Sequence, residues 1–262
     1  MTNILAFRPE SYFLFFLIVL RVSGIFVSAP ILSSDTIPRT TKIFLALICS
    51  AIIFNVVPPL ALEFDRLNVG DYFLLGVKEL MIGLLLGVVP RIMFAAINFA
   101  GTVVGFQMGL SIANVVDPQS DLQVSIIASF ESMLATVLFI ILDGHHVFFE
   151  AISISYQSVP IGGFLFSPNK IDVLLRIMGD LIIIGLKIGA PLIVSLLLAY
   201  TIMGFMGRSI PQMNIFIVGF PFTIGLGLIM LIIGMPNLIS GMSKLFDTTS
   251  FQIIELLKIM AK

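Results

Sequence analysis

The 262-residue chain is 58% hydrophobic and only 11% charged, with a net charge of −1. An ordinary soluble domain carries roughly 25% charged residues, so lipid or partner proteins must cover much of this surface. The small net charge argues against nucleic acid as a partner, because nucleic acid requires basic patches. The single cysteine, Cys49, excludes a disulfide framework and a cysteine-ligated metal cluster.

Charge-free apolar runs are the main structural signal, because a membrane-spanning helix needs about 20 mostly apolar residues. In chain order we expect hydrophobic helices over residues 12–32, 43–62, 74–89, 92–116, 124–142, 188–207 and 209–243. Prolines recur inside these runs, and each removes a helix hydrogen bond, so the helices should be curved or tilted. The sequence predicts an all-α integral membrane protein of about six to eight tilted, kinked hydrophobic helices.

The stretches between and after these runs suggest how the chain is organised. Residues 160–172 are rich in glycine and proline and indicate a boundary between two halves. The tail, 244–262, mixes apolar residues with lysines and is typical of a short amphipathic helix. The basic loop 33–42 and the acidic loop 63–71 favour opposite sides of the membrane. The lysine-rich tail also favours the same side as the basic loop, which needs an odd number of crossings. Six crossings would not give this, so either the count is wrong or some helices are not ordinary spans.

Several charged side chains lie within or beside the apolar runs. A charge at the bilayer centre costs at least about 2.5 kcal/mol, so each must face a partner, a cavity or another charge. These residues are Arg21, Glu79, Arg91, Glu131, Asp180 and Lys187. We expect most of them at contacts with partner subunits, with a proton relay and snorkelling at helix ends as the alternatives.

Glycines recur at intervals of four residues in three of the apolar runs. Small residues at this spacing let two helices approach closely in a membrane. The positions are Gly83/Gly87, Gly101/Gly105/Gly109 and Gly185/Gly189. We expect most of them to pack helices together, whereas Gly109 stands where the chain turns polar and leaves the helix.

Asp143, His145, His146 and Glu150 form the nearest approach to a catalytic or metal-binding cluster. Adjacent histidines should point to different sides of a helix, whereas joint ligands need a spacing of four residues. We therefore interpret these residues as polar groups at a membrane interface or a protein contact. The sequence predicts no catalytic residue, no metal site and no cofactor.

One stretch is more specific than these patterns. Residues 208–221, RSIPQMNIFIVGFP, resemble the FliR family, export-gate proteins of bacterial flagellar type III secretion with a counterpart in virulence injectisomes. Three further motifs agree in order: RVSG at 21–24, QMGL at 107–110 leading to the DP at 117–118, and DGH at 143–145. The resemblance covers nearly the whole chain, and its P-Q-M-N favours the flagellar system.

The resemblance implies a structural and gating subunit and no enzyme. FliR proteins assemble with FliP and FliQ subunits into one helical ring around a narrow pore. Such an assembly fits kinked helices and helices that are not ordinary membrane spans. The implied cellular location is the bacterial inner membrane at the base of the flagellar basal body. The implied partners are FliP-like and FliQ-like subunits, other export apparatus membrane proteins, lipid and unfolded secreted flagellar proteins.

The resemblance also divides the chain into a FliP-like part over 1–165, a FliQ-like hairpin over 166–243 and the tail. The FliP-like part includes the family's plug loop, which falls at about 106–121 here. We expect the plug or gate at Phe106, Gln107, Met108, Gly109, Ile112, Asn114, Val115, Asp117 and Pro118. We expect subunit contacts at Arg21, Glu79, Arg91, Glu131, Lys187, Arg208, Pro211, Gln212 and Asn214.

Two other functions stay open at this point. A small-molecule or ion transporter would use a charged site in the middle of the membrane, but its two halves should resemble each other, and these halves show no visible repeat. An intramembrane enzyme would depend on His145 and His146.

Overall fold

The computed structural model describes residues 9–34, 37–57, 68–110, 125–164, 168–210 and 215–260. Within these ranges it contains seven helices and no strand. The helices are α1 (Pro9–Ser28), α2 (Arg39–Phe54), α3 (Val69–Gln107), α4 (Ile126–Ile141), α5 (Gly144–Ser158), α6 (Pro168–Ser209) and α7 (Ile215–Met260). The prediction of an all-α membrane protein is confirmed.

Three helices, α3, α6 and α7, are longer than the sequence predicts, and α6 has 42 residues where the expected run was 188–207. Helix α3 has 39 residues and joins the expected runs 74–89 and 92–116 through Pro90. Helix α7 has 46 residues, passes through Pro221 and Pro236, and includes most of the tail, so the prediction of a separate tail helix is wrong. Prolines are tolerated in such helices where neighbouring groups satisfy the freed backbone. At 1.5 Å per residue these helices are about 60–70 Å long, twice the hydrocarbon thickness of a bilayer.

Helix α2 is shorter than predicted. The expected run covered residues 43–62, but the helix has 16 residues and ends at Phe54, where the Asn55 N–H bonds the Ile52 carbonyl oxygen at 3.3 Å. Pro58 follows closely in the sequence. Proline lacks a backbone donor and disfavours helical geometry in the residue before it, which explains the early end.

Four helices in the described part of the chain are long and apolar enough to cross a membrane, namely α1, α3, α6 and α7. The consecutive pair α4 and α5 would add a fifth crossing if it acts as one broken span. The chain is therefore a multi-pass membrane protein. Half of the apolar window is buried in α1 and in α3, but only 28% in α6 and 22% in α7. Most of the apolar surface of α6 and α7 is thus left for lipid or partner subunits.

The chain forms two compact units, each built from separate stretches. Unit 1 comprises Met1–Ile92, Asp143–Met178 and Thr248–Lys262, and unit 2 comprises Met93–Leu142 and Gly179–Asp247. In unit 1, α1 packs on α2 and the rings of Phe15 and Phe54 meet edge to face. In unit 2, buried side chains of α3, α4, α6 and α7 share one core. The expected likeness of 1–165 to FliP and of 166–243 to FliQ stays a prediction.

The glycines spaced by four residues pack helices together, as predicted. In unit 1, a Cβ on Gly83 of α3 would collide with the Arg21 carbonyl oxygen of α1. In unit 2, a Cβ on Gly101 would stand 2.7 Å from the Cα of Ala128 in α4, and Gly185 of α6 approaches α3 just as closely. No side chain fits in these gaps, so glycine sets the distance between the helices.

Candidate functional site

Helix α3 ends inside the predicted plug segment. Its last helical residue is Gln107, and Gly109 has a φ of +84°. The Leu110 N–H bonds the Gly105 carbonyl oxygen at 3.2 Å, and the Gly109 N–H bonds the Phe106 carbonyl oxygen at 3.0 Å. These two bonds around a left-handed glycine form a Schellman motif, which stops a helix in a defined geometry. The prediction that the chain leaves the helix at Gly109 is confirmed.

Helix α7 holds the end of α3 in place. The Met108 side chain is fully buried in the core of unit 2. Gly227 of α7 lies against it, and a Cβ there would stand 2.6 Å from the Met108 Cγ. The hydroxyl of Thr223 donates to the Met108 carbonyl oxygen at 3.1 Å, and the ring of Phe220 covers Gly109. The chain therefore leaves α3 from a fixed point.

The two apolar side chains at this helix end have opposite environments. Phe106 is 71% exposed, whereas Met108 is 0% exposed. Between them lies Gln107, whose backbone carbonyl oxygen accepts a hydrogen bond from the Tyr200 hydroxyl. The buried side-chain oxygen of Gln107 has no hydrogen-bond partner among the described residues. The other predicted plug residues, Ile112, Asn114, Val115, Asp117 and Pro118, lie outside the described residues. The plug role of the whole set stays a prediction.

The described chain resumes at Ser125, beside the same part of α3. Ser125 caps α4 by accepting from the Ala128 N–H at 3.4 Å. Its hydroxyl reaches the Gly101 carbonyl oxygen at 3.5 Å, and a Cβ on Gly105 would collide with that hydroxyl. Leu110 and Ser125, the described residues on either side of 111–124, therefore both lie at the last two or so turns of α3.

Glu131, a predicted subunit contact, is buried in unit 2 next to this attachment. It is 2% exposed, its Oε2 faces Gly101, and its Oε1 has no hydrogen-bond partner among the described residues. Nearby, the Asn98 amide donates to the Ser132 hydroxyl at 3.0 Å. Such a buried acid is expensive unless a partner or a proton neutralises it.

Arg21 and Glu79 pair with each other inside unit 1. The Arg21 Nε lies 2.7 Å from the Glu79 Oε2, and both side chains are fully buried. The other guanidinium nitrogens donate to the Ser155 hydroxyl and to the Val159 carbonyl oxygen, each at 3.1 Å. The second Glu79 oxygen accepts from the Gly162 N–H at 3.0 Å. Both charges are thus satisfied within the chain, and their contact with a partner subunit stays a prediction.

An aromatic ring and a second cation complete this cluster. The Arg21 guanidinium lies 4.0 Å from the centre of the Tyr156 ring, a cation–π contact that strengthens when water is absent. Lys78 donates to the Gly162 carbonyl oxygen at 3.2 Å. The cluster joins α1, α3, α5 and the turn after α5, and it holds unit 1 together.

The remaining predicted subunit contacts divide into two groups. Arg91, Lys187 and Arg208 are exposed, as a contact with another chain requires. Pro211, Gln212 and Asn214 lie outside the described residues.

His145 and His146 do not point apart, so that expectation is wrong. Their ring centres are 4.3 Å apart, and both rings lie beside the Asp143 carboxylate. The reason is their position in the first turn of α5, directly after Asp143, whose backbone has a φ of +53°.

Comparison with known proteins identifies the family of the chain. Residues 12–249 match the family described as bacterial export proteins, family 1. The chain is 32% identical over 239 residues to the flagellar biosynthetic protein FliR of Bacillus subtilis (strain 168), covering 90% of this chain and 91% of the relative. It is 34% identical over 236 residues to FliR of Escherichia coli (strain K12), covering 89% of this chain and 88% of the relative. The chain therefore belongs to the FliR family of bacterial flagellar export proteins.

Proposed function

We propose that the chain is a gating subunit of the flagellar protein-export channel in the bacterial inner membrane, and that the segment after Met108 plugs its pore. The observation that carries this proposal is the fixed position of the described residues on both sides of the segment 111–124. Helix α7 holds Met108 at one end, and Ser125 lies on Gly101 at the other. Because both flanking residues are packed against helices of unit 2, a plug between them would not require those helices to unpack.

The composition of the plug segment suits a pore. Asn114, Asp117 and Gln119 would be tolerated beside a water-filled lumen but not in lipid. Ile112 and Val115 supply apolar contacts for a seal. Because Met108 is buried, the exposed Phe106 is the better candidate at the start of the seal.

Assembly with FliP-like and FliQ-like subunits is part of the same proposal. Helices of about 60–70 Å exceed one bilayer crossing, and α6 and α7 leave most of their apolar surface uncovered. Exposed Lys187 and Arg208 of α6 provide charges at that surface for partner subunits, and Arg91 is an exposed charge on α3. The cargo is the unfolded flagellar protein that passes through the assembled pore.

Crosslinking to a stalled export substrate tests the plug position. Cys49 is the only cysteine, so Cys49→Ser gives a background without thiols. Ile112→Cys and Val115→Cys in that background should crosslink to a substrate trapped in the channel. The matched control is Ile141→Cys, because Ile141 is 68% exposed and lies at the far end of α4. Equal crosslinking at all three positions, or none at 112 and 115, overturns the proposal.

The buried Glu131 favours a second candidate function, a transporter with a charged site in the membrane. The reason is that this acid has no cation among its described contacts. The chain alone, reconstituted in vesicles, should then move ions or protons, and Glu131→Gln should abolish that movement. A gate subunit should be inactive without its partners. Arg21 and Glu79 neutralise each other inside unit 1, so this pair does not favour such a role.

A further inference from the structure

The side chains of Asp143, His145 and His146 lie together at the start of α5, and each is of a type that binds transition metals. The His146 Nδ1 lies 3.6 Å and the His145 Nε2 lies 4.0 Å from the same oxygen, the Asp143 Oδ1. One ligand atom from each residue lies within 4.8 Å of the other two. The three groups therefore surround one point in space, although their spacing in sequence does not suggest it.

The local backbone leaves the Asp143 carboxylate available. Asp143 is the N-cap residue of α5, where an aspartate normally accepts hydrogen bonds from the first N–H groups of the helix. Here its φ is +53° and its side chain makes no such bond. The carboxylate lies beside the two imidazoles instead. Aspartate tolerates this left-handed conformation better than most residues.

The distances suit a small tetrahedral ion. Zinc bonds to nitrogen and oxygen of 2.0–2.2 Å place neighbouring tetrahedral ligand atoms about 3.3–3.6 Å apart. The two distances to Asp143, 3.6 and 4.0 Å, exceed this by at most about 0.7 Å, and the distance between the histidine nitrogens, which is within 4.8 Å, exceeds it by at most about 1.5 Å. The side chains of His145, His146 and Asp143 are 46%, 70% and 70% exposed, so small rotations can close the difference.

The kind of ligand identifies the class of metal. Two imidazoles with one carboxylate suit zinc, copper or nickel, whereas calcium and magnesium require six or more oxygen ligands. The positive end of the helix dipole opposes a cation here by only about 0.3–1 kcal/mol. Structural zinc sites bind with about 10–16 kcal/mol, so the dipole does not decide the outcome.

We propose that Asp143, His145 and His146 form a binding site for one divalent transition metal ion, with zinc as the best fit and a fourth position open to water. A bound ion would fasten the residue before α5 to the first turn of that helix. The proposal does not depend on the plug, because it concerns other residues and a different ligand.

Spectroscopy of the full chain with copper tests this site. The protein is purified in detergent without a polyhistidine tag, and Cu²⁺ serves as the probe because it binds such ligands more tightly than zinc does. The chain contains only two histidines, so imidazole nitrogen coupling in the paramagnetic resonance spectrum can arise only from His145 and His146. We expect one Cu²⁺ per chain with two coupled imidazoles.

Calorimetry with Zn²⁺ and matched variants completes the test. His145→Ala and His146→Ala should each lower the zinc affinity more than about 100-fold, since loss of a supporting residue alone costs 10–100-fold. Cys49→Ser should leave the affinity unchanged, which separates this site from binding by the single thiol. Absence of imidazole coupling, or an equal zinc affinity in the His145→Ala/His146→Ala double variant, overturns the proposal.

Discussion

Replacing Arg21 by methionine removes the cation of a fully buried ion pair in unit 1. The Glu79 carboxylate would keep the Gly162 N–H among its described partners, while the Ser155 hydroxyl and the Val159 carbonyl oxygen would lose their donor. Breaking one side of a buried pair costs about 3–5 kcal/mol, because the other charge is left uncompensated. At roughly 2–4 °C per kcal/mol for a chain of this size, the unfolding midpoint should fall by about 6–20 °C.

Thermal unfolding in detergent, followed by circular dichroism, measures this shift. Arg91→Met is the matched control, because Arg91 is exposed and lies on the same unit. An exposed substitution of this kind should change stability by at most about 0.5 kcal/mol.

The double variant Arg21→Met/Glu79→Leu sharpens the test. Apolar replacement of a whole buried pair is often neutral or stabilising, so this variant should unfold at a higher temperature than Arg21→Met alone. The reasoning about the pair is refuted if Arg21→Met is as stable as Arg91→Met. It is equally refuted if the double variant loses as much stability as the sum of the losses in the single variants Arg21→Met and Glu79→Leu.

Three other predictions concern helix contacts and the end of α3, each measured as a shift in the same unfolding midpoint. Gly83→Ala should destabilise the chain by about 1–3 kcal/mol through overpacking against α1, whereas Gly179→Ala, which meets open space, should not. Met108→Ala should cost about 2–5 kcal/mol as a core cavity, and Phe106→Ala, at an exposed side chain, should cost much less. Gly109→Ala should cost about 1–3 kcal/mol, because its φ is +84° and Phe220 covers it. The packing described would be contradicted by equal effects of the two variants at Gly83 and Gly179, or of the two at Met108 and Phe106. It would also be contradicted if Gly109→Ala had no effect.

The apolar runs were enough to predict the fold class, because length and lack of charge are properties of each segment alone. Helix ends were harder to predict. Pro90 lies inside α3, although proline ordinarily ends a helix. Whether a proline ends a helix in a membrane depends on neighbours that satisfy the freed backbone, and local sequence does not reveal them. Pro58, in contrast, follows a helix that stops early.

Among the polar contacts, too, some features could be predicted from the sequence and others could not. The cost of burying Arg21 and Glu79 was readable from the sequence, but their pairing across 58 residues was not. Thr223 was missed as a support of Met108, although a single polar side chain within the apolar stretch 215–236 was the available signal. The turn at Gly109 was predictable, because a glycine followed by polar residues is a local pattern. The meeting of His145 and His146 was not, since it depends on the left-handed Asp143 before them.

The central claim is that residues after the fixed end of α3 close the pore. Its most direct test is ion conductance of the export complex in planar bilayers, with the segment 112–116 either deleted or replaced by glycine and serine at equal length. Both changes leave Met108, Gly109 and Ser125 in place, so the complex should still assemble with its partners. We predict a steady leak of small ions through both variants and none through the parent complex. An assembled variant complex that stays as tight as the parent would contradict the account.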